Sequence, residues 1–170
     1  MNVRKVSVIC PVFNEEKFIE ACLVSIIEQD YPQDMMEVLF VDGRSTDKTR
    51  EIIERYMKQY PFIKLLDNPE RIVPYALNRG LEAAKGEVIM RLDGHCTYPT
   101  NYISELVRYL YLLNADNVGG VWNTQPAKDT PICQAIAQAS SHPFGVGGSM
   151  HKIGASKIIE TDTVLFGCYK

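Results

Sequence analysis

The chain has 170 residues, 46% of them hydrophobic and 23% charged, which is enough apolar material for one domain-sized core and too much for a disordered or fibrous chain. Its 18 Lys and Arg against 21 Asp and Glu leave a net charge of -3 with no run of basic residues, which argues against a nucleic-acid surface. No apolar stretch approaches the roughly 20 residues needed to cross a bilayer, and no signal peptide is read at the start.

Apolar runs of strand length alternate with stretches of helical period along the chain, the pattern of an α/β domain with a mostly parallel central sheet flanked by helices. Residues 6–11 form a short apolar strand run. Phe18, Ile19, Cys22, Leu23, Ile26 and Ile27 then repeat at helical spacing. Residues 37–41 read as a buried strand. Residues 46–60 read as a helix with Ile52, Ile53, Tyr56, Met57 and Tyr60 on one stripe, capped by Ser45 or Thr46. A third strand is expected over 62–66, a proline-initiated helix over 74–85 ended by Gly86, and a fourth strand over 87–92. Beyond Pro99 the spacing predicts a helix over 101–113, a strand over 118–123, a helix over 131–139, a Gly- and Ser-rich loop over 142–149 and a last strand over 158–166. No internal repeat or linker interrupts residues 1–170, which are read as a single domain.

The five cysteines are odd in number and lack a CxxC pair, so neither a disulfide framework nor a thiolate zinc site is expected, and a cytoplasmic setting fits best. Cys96 alone lies near candidate chemistry and reads as a small buried hydrophobe. GxGxxG, GxxxxGK[ST] and GxSxG motifs are all absent.

In open parallel sheets ligands bind outside the carboxyl ends of the strands. Polar clusters fall at those ends here: Asn14-Glu15-Glu16 after the first strand, Asp42 to Asp47 after the second, Asp93-Gly94-His95 after the fourth. Glu15, Glu16 and Asp47 also suit helix N-termini, where carboxylates favour the dipole. Asp42 and Asp93 each end an apolar strand, where an unpaired carboxylate is costly, and so read as functional. Asp93 and His95 stand two apart in extended chain and can face the same side. One carboxylate and one imidazole suit a borderline cation such as Mn2+ better than Mg2+, with a bound diphosphate completing the shell; a turn histidine is the competing reading. Arg71 and Arg79 are weaker diphosphate candidates, His142 and His151 read as loop residues, and Trp122 reads as core.

The runs VSVICPVFNEEKFIEACLVSIIEQDYP, EVLFVDGRSTDKT and NRGLEAAKGEVIMRLDGH resemble the family 2 glycosyltransferases of GT-A fold, a Rossmann-like fold for nucleotide-diphospho-sugar transfer. NPERIVPYALNRG, SSHPFGVGG and DTVLFGCYK add a likeness to bacterial succinoglycan and exopolysaccharide enzymes. The resemblance implies inverting transfer of a sugar from a UDP-sugar donor to a hydroxyl of a lipid-linked or saccharide acceptor, at the inner face of the membrane. By position it makes Pro11, Val12, Asn14 and Glu15 the loop around the nucleoside and Asp42 the residue that reads the base. Arg71, Asn78 and Asp93 join them as nucleotide contacts, and Asp93 and His95 hold the divalent cation. Phe13 replaces a common Tyr, VDGRSTD replaces VDDGSTD, and His95 replaces the last Asp of DxD. The general base of the family lies in a Glu-Asp motif further on. It is therefore expected downstream of Lys170, with residues 1–170 the donor-binding portion of a longer enzyme. Glu160 and Asp162 are the only late carboxylates. The alternative is a nucleotide-sugar-binding fragment without transferase activity.

Overall fold

A computed structural model describes residues 3–147, 149–155 and 157–170. The first compact unit runs to Val118 and takes back residues 168–170. It contains β1 (Val6–Val12), α1 (Ile19–Ile27), β2 (Met36–Asp42), α2 (Thr49–Met57), β3 (Ile63–Asp67), α3 (Val73–Ala83), β4 (Val88–Arg91) and α4 (Tyr102–Leu112). A second unit, residues 119–167, is entered through β5 (Asn117–Gly120) and left through β6 (Leu165–Tyr169). It carries α5 (Pro131–Ala139) and the single-turn helices α6 (Pro143–Val146) and α7 (Met150–Ile153).

The strand order is β3-β2-β1-β4-β6-β5. β1 pairs in parallel with β2 and β4, and β2 with β3, while β6 runs antiparallel to β4 through Ile89 to Tyr169 and Met90 to Cys168. The chain builds outward from β1 to β3 and then returns to the other side of β1, so the order reverses beside β1. That reversal opens a crevice at the carboxyl ends of β1 and β4.

Both faces of the central strands are covered, which is why they read as unbroken apolar runs. Ile9, Leu39 and Val41 pack with Ala76 of α3 on one face. Val8, Cys10, Val38 and Phe40 point the other way by strand alternation and are equally buried. α1 buries Ile19, Cys22, Leu23 and Ile26, and α4 buries Ile103, Leu106, Val107 and Leu110. Gln29 joins these helices: its Nε2 donates to the Pro99 carbonyl and its Oε1 accepts from the Ile103 amide. Each fully buried aliphatic side chain contributes about 1.5–3 kcal/mol.

Four elements are tied at the amino-terminal edge of the sheet by one polar cluster. Ser7 Oγ donates to Glu37 Oε1 at 2.7 Å and accepts from the Gly86 amide at 2.7 Å, and Lys64 Nζ reaches Glu37 Oε2 at 2.7 Å. The Lys85 amide also donates to Glu37. Burial by itself pushes the Glu37 carboxyl up, but the bonds from Lys64, Ser7 and Lys85 outweigh it and hold the group below its ordinary range.

Four expectations are corrected. α2 starts at Thr49, not at residue 46, because the side chains of Ser45, Thr46 and Asp47 are bonded elsewhere. β5 ends at Gly120, earlier than expected. The 142–149 loop holds α6, whose first turn is started by His142 Nδ1 accepting from the Phe144 amide. The last strand lies at 165–169, seven residues later than expected at its start, where Cys168 and Tyr169 find β4 as a partner.

The depressed Glu37 carboxyl makes a pH prediction. Its stabilisation is full above the unfolded value of about 4.3 and is lost as pH falls through the lower folded value. Glu37→Gln is expected to cost about 1–3 kcal/mol at pH 7, with the gap to wild type narrowing below about pH 4.3. Urea unfolding across this range checks it, and a gap independent of pH contradicts it.

Candidate functional site

The carboxyl ends of β1, β2 and β4 and the turn before α3 enclose a cleft of about 150 Å3, built wholly from the first unit. Pro11, Val12, Phe13 and Glu15 form one wall, and Val41 and Gly43 the floor toward β2. Asn68, Arg71, Ile72, Val73 and Ala76 form the side toward α3, and Arg91, Asp93 and His95 close the side toward β4.

The cleft is shaped by a buried carboxylate that it does not contain. Asp42 ends β2 with its side chain fully buried. It accepts from both the amide and the hydroxyl of Ser45, and Arg50 Nη1 lies 2.8 Å from its Oδ2. The same Arg50 nitrogen reaches Asp67 Oδ1 at 2.6 Å. The hydrogen bond to Asp42 is the chief reason the Arg50 guanidinium is held above its ordinary value.

Ser45, fixed in this way, begins a set of cross-links to the loop after β1. Asn14 sits at φ 55, a left-handed conformation that Asn tolerates. Its amide donates to Ser45 Oγ, and its Oδ1 accepts from the Thr46 amide. The Glu15 amide donates to Thr49 Oγ1, the Glu16 amide to Asp47 Oδ2, and the Lys48 amide to Glu16 Oε2. Burial would raise the Asp47 carboxyl, yet the donors of Thr49 and the Glu16 amide hold it below its ordinary range. The polar residues after β1 and β2 are thus bonded largely to each other, and Glu15 is left pointing at His95.

Asp93 and His95 do share the cleft. Asp93 receives Arg91 Nε at 3.0 Å on Oδ1 and Nη2 at 3.4 Å on Oδ2. Its backbone is held by Tyr98, whose hydroxyl accepts from the Asp93 amide and donates to the Asp93 carbonyl. Gly94 lets this turn lie against β1, since a Cβ there would stand 2.6 Å from Val12 Cγ1. His95 Nδ1 lies 3.0 Å from Glu15 Oε1. Cys96 is no nucleophile here: burial, and then the Asp93 charge, push its thiol up to about 11.

Among the described residues no three His, Cys, Asp or Glu side chains are grouped to hold a metal ion. Asp93 and His95 nevertheless fit a partial site. The carboxylate has lone pairs beyond those facing Arg91, and with Nδ1 turned to Glu15 the imidazole keeps Nε2 available. Oxygen plus imidazole nitrogen is the donor chemistry of a borderline divalent cation.

Of the residues singled out in the sequence, Pro11, Val12, Glu15, Arg71, Asp93 and His95 line the cleft. Asn14 and Asp42 stand behind its wall, and Asn78 is exposed on α3 and outside it. Arg79 is held by Glu70 at 3.0 Å. Lys170, beyond which the resemblance implies the general base, is not part of the cleft lining. Its amide donates to the Asp116 carbonyl and its Nζ to Asn114 Oδ1 at 3.1 Å, so it is tied to the turn after α4. Glu160 and Asp162 belong to the second unit and are not among the residues that line the cleft in the first. Trp122 is a correction: it lies outside β5, 37% exposed, tilted against Phe166 within the second unit and not in a core strand. Asn68 is a cleft residue that the sequence reading misses. It is 2% exposed, its amide donates to the Asp42 carbonyl, its Nδ2 donates to the Ile72 carbonyl, and its buried Oδ1 has no hydrogen-bond partner among the described residues. Its place directly after β3 is the signal that could have found it.

The family model described as Glycosyl transferase family 2 matches residues 7–150. A dolichyl N-acetyl-alpha-D-glucosaminyl phosphate 3-beta-D-2,3-diacetamido-2,3-dideoxy-beta-D-glucuronosyltransferase of Methanococcus voltae is 30% identical, over 96% of this chain and 52% of that protein. The succinoglycan biosynthesis protein ExoA of Rhizobium meliloti is 35% identical, over 87% of this chain and 44% of that protein. The chain therefore spans about half the length of these relatives. Among solved structures, the mannosyltransferase PcManGT from Pyrobaculum calidifontis, in complex with GDP-Man and Mn2+, superposes with a TM-score of 0.67 at 31% identity, covering 83% of this chain and 41% of that one. TarS of S. aureus in complex with UDP-GlcNAc gives 0.63 at 26% identity, covering 75% of this chain and 37% of that one.

The Asp42 cluster yields a stability prediction. Arg50→Ala leaves a buried carboxylate without its counter-charge and is expected to cost about 2–4 kcal/mol. Asp67→Ala removes only the exposed end of the same arginine pair, and a cost below about 1 kcal/mol is expected. Urea denaturation of the two variants checks the order; equal losses would place the weight of the cluster on the exposed pair.

Proposed function

Since the chain belongs to glycosyl transferase family 2 and has the GT-A fold, we propose that residues 1–170 are a single GT-A domain, the donor-binding portion of a longer inverting glycosyltransferase. In this reading the general base is supplied by chain that follows Lys170. The whole enzyme moves a sugar from a UDP-sugar to a hydroxyl of a lipid-linked or other saccharide acceptor, in exopolysaccharide synthesis at the inner face of the membrane. Among the described residues no helix is long and apolar enough to cross a bilayer.

The observation that carries the proposal is the gathering of Glu15, Arg71, Asp93 and His95 around one cleft at the reversal of strand order. Pro11 and Val12 offer the nucleoside an apolar wall, and Arg71, at φ 62 in the turn before α3, offers a guanidinium to the diphosphate. Asn14 and Asp42 act from behind, holding the loops that form the wall. Asp93 and His95 would hold the divalent cation, Mn2+ in preference to Mg2+ because of the imidazole. When bound there, the cation supplies Lewis-acid stabilisation of the charge that develops on the departing diphosphate. Arg91 keeps the Asp93 carboxylate aimed and partly neutralised between turnovers.

Binding tests the reading without requiring turnover. From the likeness to TarS in complex with UDP-GlcNAc, UDP is expected to bind more tightly than ADP or GDP, and by linkage more tightly with Mn2+ present than without it. His95→Ala should remove most of the Mn2+ effect, while His95→Asp should keep it by replacing one ligand with another. Calorimetry with each nucleotide, with and without the ion, measures both. Equal affinities for the three nucleotides would remove the preference for uracil, and an affinity indifferent to Mn2+ would remove the cation.

A further inference from the structure

We propose that Glu15 is a positioning residue for His95: it fixes the imidazole as the tautomer protonated on Nδ1 and so presents Nε2 as the cation ligand. The inference rests on the cation reading of Asp93 and His95 given above, and it gives Glu15 a role other than contact with the nucleotide.

His95 Nδ1 and Glu15 Oε1 are 3.0 Å apart. An ionised carboxylate can only accept, so the proton of this bond belongs to Nδ1, and the lone pair of the neutral ring belongs to Nε2. Glu15, Asp93 and His95 do not form a group of three that could hold a metal ion among the described residues, and the contact shown for Glu15 is with the Nδ1 side of the ring. Its side chain is 20% exposed against 53% for His95, so the carboxylate is the fixed partner and the ring the one being held.

The rigidity of Glu15 comes from both ends of the residue. Its amide donates to Thr49 Oγ1, and its carbonyl accepts from the Phe18 and Ile19 amides at 2.9 Å, closing the turn that starts α1. The neighbouring residues Asn14 and Glu16 are each bonded to the loop after β2. A carboxylate that orients a metal-binding imidazole through its second nitrogen raises ligand basicity, and loss of such a partner typically weakens metal affinity about 10- to 100-fold. An Asp at position 95 would need no such partner, since either carboxylate oxygen can ligate.

The test uses the chain with 15N-labelled histidine. Long-range 1H–15N correlation of the metal-free protein at pH 8 reads the tautomer of His95, assigned by its loss in His95→Ala. The wild type is expected to show Nδ1–H, and Glu15→Ala to move the ring to Nε2–H. Mn2+ uptake in the presence of UDP, followed by loss of the free-ion EPR signal, is expected to weaken about 10- to 100-fold in Glu15→Ala. In a His95→Asp background the same Glu15→Ala change should no longer weaken uptake, which separates positioning from general damage to the fold. An Nε2–H ring in the wild type, or Mn2+ affinity unchanged by Glu15→Ala in a wild type that does bind the ion, overturns the positioning role alone. A wild type that takes up no Mn2+ with UDP overturns the cation reading and this inference with it.

Discussion

A carboxylate with no access to solvent organises the cleft from beneath. An ionised Asp is tolerated in such a place only if it is paired and hydrogen-bonded, and Asp42 is both, through Arg50 and the two donors of Ser45. The consequence propagates by short steps. Ser45 is fixed by Asp42, Asn14 by Ser45 and Thr46, and Glu15 by Thr49, so that the loop after β1 inherits the order of the loop after β2. His95, from a third loop, then meets Glu15. Three loops that share no regular hydrogen-bond ladder are made into one surface by side-chain oxygens, bonded to backbone amides between the first two and to the His95 ring at the third.

The other edge of the sheet uses the same device for a different end. Ser7, Glu37, Lys64 and the Lys85–Gly86 amides form a closed set in which every donor has an acceptor, and nothing opens toward a ligand. Asn68 stands in contrast: in the cleft, one buried side-chain oxygen lacks a partner among the described residues. A satisfied cluster at the amino-terminal edge and an unsatisfied oxygen at the carboxyl edge agree with the general placement of ligands in parallel sheets.

How much of this is legible in the sequence depends on what decides each element. β1 to β4 and α1 to α4 are readable because burial on one stripe or on both faces decides them, and burial writes itself into apolar period. The start of α2 is not, because Ser45 and Thr46, good caps by type, are drawn to Asp42 and Asn14 instead. The position of β6 is not either, because the β-branched and apolar residues at both ends of 158–166 fit a strand by type, and only pairing with β4 selects 165–169. At the site, carboxylates at strand ends mark the rim where the cleft lies, Arg71 is readable as a weak diphosphate candidate, and resemblance adds Pro11 and Val12. Neither can show that Asp42 is occupied by bonds from Ser45 and Arg50, that Arg91 at the end of β4 lines the cleft, or that Asn68 lines it while Asn78 lies outside, the last two following from the pitch of α3 and the turn before it.

On the proposed cation reading, a His at position 95 where the resemblance implies an Asp would change the charge of the cleft as well as its ligand set. Two carboxylates, Glu15 and Asp93, face it together with two guanidiniums, Arg71 and Arg91, and a neutral imidazole leaves them balanced. An Asp at position 95 would leave an excess of negative charge that a diphosphate must overcome before any cation arrives. With a neutral ring whose Nδ1–H donates to Glu15, the cleft would repel a diphosphate less, but it would also attract a cation less. Each then depends more on the other, and linkage requires that this dependence be mutual. On the proposed cation reading the imidazole would exchange affinity for the bare ion against affinity for the ion and nucleotide together, and Glu15, bonded through its backbone to Thr49 at the start of α2, would keep the ring in the form able to make that exchange.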